Sequence, residues 1–261
     1  TMATLSATGN EKVHAGFLPL LSGFVHIPYN SMEEAERVIK SKQVIAILVE
    51  PIQGEGGIVV PDRGYLSKLR KLCDQAGKLL MLDEVQTGIG RTGNWFAFQN
   101  EDILPDVLTI AKGLGNGIPI GACLARGLAA DVLQPGTHGS TFGGNPLVAS
   151  VALKVLEIID RDGLLEKARR LGGLILQGFR EKLESKNGVK DIRGEGLMIG
   201  IELEAPCAEI VSLALEARLL VNVANGNVVR LLPPLILTEE EASLLVEELS
   251  TIILEFIAKS S

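Results

Sequence analysis

The sequence predicts an α/β fold whose central sheet is mostly parallel, with helices on both faces. Two continuous apolar runs, residues 79–82 and 107–111, have the length and composition of strands buried on both faces. A third run, residues 44–49, is rich in β-branched side chains, and a helical pattern separates it from the first. Because strands and helices alternate in this way, right-handed crossovers between parallel strands are expected.

Helix signals lie on either side of the run at residues 44–49. Ser31 followed by Glu34 matches a capping box and predicts a helix over residues 32–40. Apolar residues at helical spacing predict a second helix over residues 64–75, and Gly77 is placed to end it. These helices supply the crossovers that a parallel sheet requires.

The second half of the chain predicts a different kind of unit. A short strand is expected over residues 121–125, and Asn145 and Pro146 are suited to cap and begin a helix that reaches about residue 160. The remaining predicted elements are a helix over 164–183, strands over 189–192 and 197–203 parted by an RGEG loop, a helix over 208–217, strands over 221–223 and 228–231, and a helix from the Thr238–Glu241 capping box to about residue 259. We therefore place a domain boundary near residue 160, with a small α+β domain over residues 161–261.

Composition limits the classes of partner and ligand. The net charge is −7 and no basic stripe occurs, so nucleic acid is not expected as a partner. No apolar run approaches the ~20 residues of a membrane-spanning helix, so no membrane partner is expected either. The three histidines lack metal-ligand spacing, and no metal is predicted.

The cysteines favour a cytoplasmic protein. Cys73, Cys123 and Cys207 are odd in number, far apart and free of a CxxC pattern, which is typical of reduced thiols. Each stands among apolar residues, so all three are predicted to fill the core.

Two charged residues end the two central strands. Asp83 follows residues 79–82, and Lys112 follows residues 107–111 and precedes three spaced glycines. Open α/β sheets bind ligands at the carboxyl ends of their strands, so the two side chains are expected to face one crevice. A lysine in apolar surroundings becomes a nucleophile for carbonyls, and an acid can hold a proton on a ring nitrogen, the combination that pyridoxal phosphate needs. Solvated strand ends carry the same residues, and this alternative stays open.

Five motifs in order carry a family resemblance. They are EPIQGEGG at residues 50–57, LMLDEVQTGIGRTG at 80–93, LTIAKGLGNGIPIGA at 108–122, HGSTFGGNP at 138–146 and NVVRLLPPL at 227–235. Together they resemble the class III pyridoxal-phosphate aminotransferases, and within them the acetylornithine aminotransferase branch. The resemblance implies a fold type I transferase in which residues 1–160 are part of the large pyridoxal-phosphate-binding domain.

The resemblance also implies roles for residues around the cofactor. Lys112 would bind pyridoxal phosphate covalently and move the substrate proton. Asp83 would pair with the ring nitrogen. Val85 would pack on the ring, Gln86 would bond near its phenolic oxygen, and Glu84 would lie beside the cofactor with them.

Four further residues are implied at the phosphate and the substrate. Thr141 would hold the cofactor phosphate of the partner subunit, and Ser140 would lie near the substrate. Glu55 and Arg230 would form a switch, in which the glutamate covers or releases the arginine that binds a substrate carboxylate.

The resemblance implies transfer of the terminal amino group of N-acetylornithine to 2-oxoglutarate, in arginine biosynthesis, by a homodimer with active sites at its interface. The alternatives are another ω-amino acid transaminase or aminomutase, of ornithine, succinylornithine or 4-aminobutyrate type, and an inactive fragment or binding module. Family members carry an N-terminal portion before the first motif. We therefore expect either a separate N-terminal polypeptide beside this chain or a longer protein of which the chain is a part.

Overall fold

The structure is a computed structural model that describes residues 1–260, and its first sheet confirms the predicted α/β class. This sheet holds strands β1 (Ala46–Val49), β2 (Leu79–Asp83), β3 (Val107–Ile110) and β4 (Ala122–Ala125), in that order. β2 pairs in parallel with both β1 and β3, while β4 runs antiparallel to β3. The carboxyl ends of the three parallel strands therefore meet at one edge.

A second, antiparallel sheet follows in the chain. Its strands are β5 (Val189–Glu195), β6 (Met198–Leu203), β7 (Asn222–Ala224) and β8 (Val228–Leu231), ordered β5-β6-β8-β7. The predicted RGEG loop is wrong, because β5 extends through Glu195 and leaves only Gly196 and Leu197 in the turn. Gly196 has φ +55°, a conformation that lets so short a hairpin close.

Helices connect and cover the strands. They are α1 (Met2–Ala7), α2 (Met32–Ile39), α3 (Tyr65–Ala76), α4 (Pro146–Arg161), α5 (Leu164–Leu183), α6 (Ile210–Glu216) and α7 (Glu239–Ser260). Asn145 caps α4 by accepting from the Val148 amide at 3.2 Å. α5 has the predicted bounds, because its apolar stripe and its flanking Gly163 are local signals.

The two predicted capping boxes differ in outcome. Thr238 and Glu241 exchange both bonds, at 2.8 and 3.1 Å. Ser31 accepts from the Glu34 amide at 3.3 Å, but the Glu34 carboxylate pairs with Arg37 at 2.7 Å instead of returning to the cap. The i,i+3 ion pair competes for the same carboxylate.

Buried apolar side chains form two main clusters. One lies between the first sheet and helices α2, α3 and α4, and its buried members run from Ala35 to Leu164. The other lies between the second sheet and α5, α6 and α7, and its buried members run from Ala168 to Phe256. The division into domains near residue 160 stays a proposal, which this separation of the clusters supports.

Arg91 joins the two sheets. Its guanidinium donates to the carbonyls of Leu197, at 3.1 Å, and Pro233, and its own carbonyl accepts from the Leu197 amide at 2.9 Å. Burial lowers the pKa of Arg91 to about 10. The loop that follows β2 is thereby attached to the β5–β6 hairpin, which fixes the second sheet beside the carboxyl ends of the first.

One cysteine departs from the prediction. Cys73 and Cys207 are buried, but Cys123 is exposed on β4. β4 ends the sheet, and all four of its residues are exposed within the described part of the chain. Apolar sequence context alone could not distinguish this edge strand from a core strand. Among residues 1–260, no helix has both the length and the apolar composition to cross a membrane.

Candidate active site

The ends of the three parallel strands bring polar residues into one row. Asp83 lies opposite Thr109 in the β2–β3 register, and Val49 lies opposite Leu82 in the β1–β2 register. Glu50, the residue after Val49, therefore comes beside Asp83. Neighbouring strands are about 4.8 Å apart, so these side chains share one face at the edge of the sheet.

Asp83 is held through one of its two carboxylate oxygens. Its Oδ1 accepts from the Val85 amide at 3.0 Å and from the Thr109 hydroxyl at 3.2 Å. Within residues 1–260, Oδ2 has no hydrogen-bond partner. The carboxylate thus has a fixed orientation and one oxygen available to an N–H donor from a ligand.

Lys112 begins the short 3₁₀ turn Lys112–Leu114, directly after β3 and Ala111. Its φ is +45°, a left-handed conformation that is uncommon outside glycine and often marks functional sites. The side chain is exposed and lines an open depression with Gly113 and residues 116–120. Within residues 1–260 the amine is not enclosed by other side chains, and the role of Lys112 stays a prediction.

Glu84 is a correction to the predicted cofactor residues. Its side chain is fully buried, and its carboxylate accepts from the amides of Ala97 at 2.7 Å and Phe98 at 3.0 Å and from the Thr87 hydroxyl at 3.0 Å. Burial raises the pKa of Glu84. Successive strand residues point to opposite faces, so Glu84 leaves the Asp83 side and holds the turn at Ala97–Glu101.

We expect Glu84→Ala to lower the free energy of unfolding by about 3 kcal/mol, because the substitution leaves two buried amides and a buried hydroxyl without an acceptor. Urea unfolding of the variant and of the unsubstituted protein, each followed by circular dichroism, measures this change. Glu36→Ala on the exposed side of α2 is the matched control and should change the free energy by less than about 0.5 kcal/mol. Equal effects of the two variants would contradict a holding role for Glu84.

The predicted contact between Glu55 and Arg230 is present. Arg230 Nη1 donates to Glu55 Oε1 at 2.6 Å, and Gln86 Nε2 donates to the same oxygen at 3.3 Å. The bond from Arg230 lowers the pKa of Glu55. Arg230 also donates to Asn222 Oδ1 at 2.9 Å. The switching motion stays a prediction, and the structure corresponds to its covered state.

Two buried polar atoms beside this pair have no partner within the described residues. They are Gln86 Oε1 and Arg230 Nε. Gly54 makes room for the Gln86 amide, because a Cβ at this position would lie 2.3 Å from Gln86 Oε1. An unpaired buried acceptor and donor are costly, so both atoms favour a ligand that supplies the missing bonds.

Residue composition alone did not identify three members of the site. Glu50 accepts from the Gly54 amide at 3.1 Å, and burial raises the pKa of Glu50. Thr109 orients Asp83, and Asn222 orients Arg230. The available signals were an acid that ends a buried strand and a hydroxyl within an apolar strand, and both are common elsewhere.

Ser140 and Thr141 lie outside this cluster, and Val85 joins it through its backbone amide, which donates to Asp83. Val85 is half-buried directly after Glu84. Ser140 and Thr141 are exposed, and Ser140 accepts from the Gly143 amide at 3.0 Å. Among residues 1–260, neither makes a hydrogen bond with Lys112 or Asp83. Their roles stay predictions.

Known proteins are similar to this chain in sequence and in fold. The chain is 53% identical over 258 residues to the acetylornithine aminotransferase of Nitrosomonas europaea, a match that covers 98% of this chain and 66% of that protein. The ornithine aminotransferase from Toxoplasma gondii, in a solved structure that shows partial occupancy of PLP at its active site, has a TM-score of 0.95. Its identity is 36%, over 99% of this chain and 62% of that one.

A solved acetylornithine aminotransferase from Elizabethkingia anophelis has a TM-score of 0.83 at 40% identity, over 89% of this chain and 60% of that one. The chain thus spans between 60% and 66% of the length of these relatives. The family described as aminotransferase class-III matches residues 1–253. Since that match includes both strand ends that carry Asp83 and Lys112, this chain belongs to the class III aminotransferases.

Proposed function

We propose that this chain is the catalytic part of a pyridoxal-phosphate enzyme that transfers the terminal amino group of N-acetylornithine to 2-oxoglutarate. The observation that carries the proposal is the placement of Asp83 and Lys112 at adjacent strand ends. The Glu55–Arg230 pair is joined to this site by Gln86, which lies in the loop after β2 and donates to Glu55. The similarity to acetylornithine aminotransferases supports the choice of substrate.

The residues fit the cofactor. Pyridoxal phosphate, when bound, supplies an aldehyde for the substrate amine and a ring that withdraws electrons from the substrate carbon. Asp83 Oδ2 is available to the ring N–H, and the buried Gln86 Oε1 lacks the donor that a ligand would bring. Val85 would contact the ring, and Thr141 would hold the phosphate bound in a partner subunit.

Lys112 is the residue for covalent attachment and for proton transfer. Its amine is accessible in the depression that the glycines leave open. With the cofactor bound, Lys112 would hold it through its amine and would be placed to move a proton between the substrate carbon and the cofactor. Asp83 would hold a proton on the ring nitrogen, because a carboxylate stabilises a neighbouring positive charge. Ser140 would lie near the substrate.

Arg230 distinguishes the two substrates. Glutamate and 2-oxoglutarate carry an α-carboxylate beside the reacting carbon, and an arginine binds a carboxylate through two parallel hydrogen bonds. N-acetylornithine reacts at its terminal amine and brings no carboxylate to this position. Glu55 then neutralises Arg230, as in the structure.

Glu55→Ala should lower the ratio of kcat/KM for N-acetylornithine to kcat/KM for glutamate by about tenfold, since 1.4 kcal/mol of altered binding is tenfold. Arg230 would then stay open to the α-carboxylate of glutamate in every half-reaction. Absorbance changes of the bound cofactor follow each half-reaction separately in the natural protein. Glu11→Ala, an exposed acid of the first turn at Glu11–His14, is the control. Equal losses with both donors would leave Glu55 as an ordinary loop residue.

A second candidate donor is ornithine, because the ornithine aminotransferase of Toxoplasma gondii has a TM-score of 0.95 with this chain. Half-reactions with N-acetylornithine, succinylornithine, ornithine and 4-aminobutyrate test the substrate directly. The proposal requires the highest kcat/KM for N-acetylornithine. A higher value for ornithine would assign the second function, and a cofactor spectrum that no amine changes would indicate an inactive protein.

We further propose that the enzyme acts in arginine biosynthesis, in the cytoplasm, as a homodimer with active sites at the interface. Exposed large apolar side chains support an interface, and eight of them lie between residues 118 and 153: Ile118, Leu124, Leu128, Val132, Leu133, Phe142, Leu147 and Leu153. A monomer rarely leaves so much apolar surface uncovered. Sedimentation of the natural protein measures its oligomeric state.

A further inference from the structure

Residues 53–59 form a closed loop that presents Glu55 to Arg230. We call it the Glu55 loop. Gln53 and Val59 close it through two mutual backbone hydrogen bonds of 3.1 and 3.0 Å. Within the loop, the Gly57 amide donates to the Gly54 carbonyl at 3.2 Å. Because the loop is closed on itself, contacts with the rest of the protein set its position as a whole.

The Glu55 loop contains a strained residue. Ile58 has φ +53°, a left-handed conformation that β-branched residues rarely adopt, and its side chain is fully buried. Gly57, with φ +102°, packs so closely that a Cβ would lie 2.9 Å from Val228 Cγ2. Such a conformation persists only where surrounding contacts enforce it.

Arg193 supplies those contacts. Its Nη2 donates to the Gly57 carbonyl at 2.7 Å, and its Nε donates to the Ile58 carbonyl at 2.8 Å. Its remaining nitrogen, Nη1, donates to Asp191 at 2.8 Å and to Glu202 at 2.6 Å, which fix the guanidinium on the sheet. One planar group thus binds two consecutive carbonyls of the Glu55 loop.

The two arginines lie in one row of the second sheet. Arg193 on β5 pairs with Gly200 on β6, and Gly200 pairs with Arg230 on β8. Register partners in antiparallel strands share a face, so both arginines face the same side, two strands apart. Gly200 leaves space between them, since a Cβ there would lie 3.0 Å from Ile58 Cβ. The Glu55 loop crosses this space, with Arg193 holding Gly57 and Ile58 and with Glu55 reaching Arg230.

We propose that Arg193 is a specificity-determining positioning residue, which holds the Glu55 loop so that Glu55 covers Arg230. It acts through Glu55, because its guanidinium bonds to the backbone of the Glu55 loop and to two carboxylates of the second sheet. The inference deepens the proposed function and rests on it: Arg193 favours donors that react at a terminal amine over donors with an α-carboxylate beside the reacting carbon.

Arg193→Lys tests this role, because a single ammonium cannot bind both carbonyls and both carboxylates. In the natural protein with its cofactor, the ratio of kcat/KM for N-acetylornithine to that for glutamate should fall at least about threefold. In the Glu55→Ala background the same change should leave the ratio unaltered, because no carboxylate remains to position. Arg193→Gln serves as the second variant if the lysine variant does not fold.

Lys190→Gln is the matched control. Lys190 pairs with Glu202 at 2.6 Å, as Arg193 does, but within residues 1–260 its side chain makes no hydrogen bond with the Glu55 loop. It should change neither the ratio nor the loop. Hydrogen–deuterium exchange of a peptide spanning residues 50–60 gives a readout independent of turnover, and this peptide should exchange faster in Arg193→Lys than in Lys190→Gln.

The outcomes separate the inference from the proposed function. A ratio that falls equally with and without Glu55 would overturn the role of Arg193, and so would equal peptide exchange in the two single variants. Both results leave the aminotransferase intact. If the natural protein converts neither donor, the proposed function fails and the specificity role fails with it.

Discussion

Replacing Lys112 with alanine should reduce transamination by a factor on the order of 10³ or more, because a positioned acid–base group alone contributes about 10²–10⁴. The variant also loses the amine for covalent attachment of the cofactor. Lys112 follows the end of β3, next to the strand end that carries Asp83, and its exposed side chain has room to reach a ligand. Steady-state rates with N-acetylornithine and 2-oxoglutarate measure the loss.

Lys78 provides the matched control for this experiment. It precedes β2 and therefore stands at the amino end of the same parallel strands. Lys78→Ala should retain nearly all activity, while Lys112→Ala retains its thermal transition and loses turnover. Comparable activity in the two variants would show that Lys112 is a solvated strand end.

Asp83→Asn should keep the fold and lower kcat by a factor on the order of 10²–10³, the cost of removing one preorganised electrostatic partner. The fold is kept because an amide oxygen can accept the same bonds from Val85 and Thr109 as Asp83 Oδ1 does. The rate falls because a neutral amide does not hold a proton on the ring nitrogen. Stopped-flow absorbance of the first half-reaction measures this loss without product release.

Thr109→Val gives a graded comparison. It removes one donor to Asp83 and retains the charge, so kcat should fall by less than about tenfold, the value of a single hydrogen bond. If Asp83→Asn turned over as fast as Thr109→Val, the carboxylate would serve only to hold the loop after β2.

Local signals explain which parts of the fold could be predicted. β2 and β3 are continuous apolar runs, and α5 has an apolar stripe between recognisable ends, so their bounds agree with the sequence within one residue. The cap at Asn145 also depends only on residues nearby. None of these features needs a distant contact.

The wrong predictions concern residues whose contacts are far away in the sequence, or residues on an exposed edge of the sheet. Glu84 is bound by amides 13 and 14 residues later, which no periodicity reveals. Cys123 lies on an exposed edge strand, although its neighbours are apolar. The contact of Glu55 with Arg230 spans 175 residues, and it was predicted only because two motifs resemble a known family.

Arg193 could not be identified from the sequence either. Its carbonyl partners are 135 and 136 residues away, and a lone arginine in a strand has no distinctive sequence signal. Only the row across β5, β6 and β8 places it on the same face as Arg230. The specificity role proposed for Arg193 therefore rests on tertiary contacts that the motifs do not contain.

Borohydride reduction of the natural protein with its cofactor, followed by peptide mass mapping, tests the role of Lys112 most directly. Reduction makes the bond between cofactor and lysine permanent, so the modified residue can be identified. We expect the pyridoxyl mass on the peptide that contains Lys112 and on no other. A pyridoxyl group on a different lysine would contradict the assignment of this site. So would a reduced holoenzyme in which no lysine carries the group.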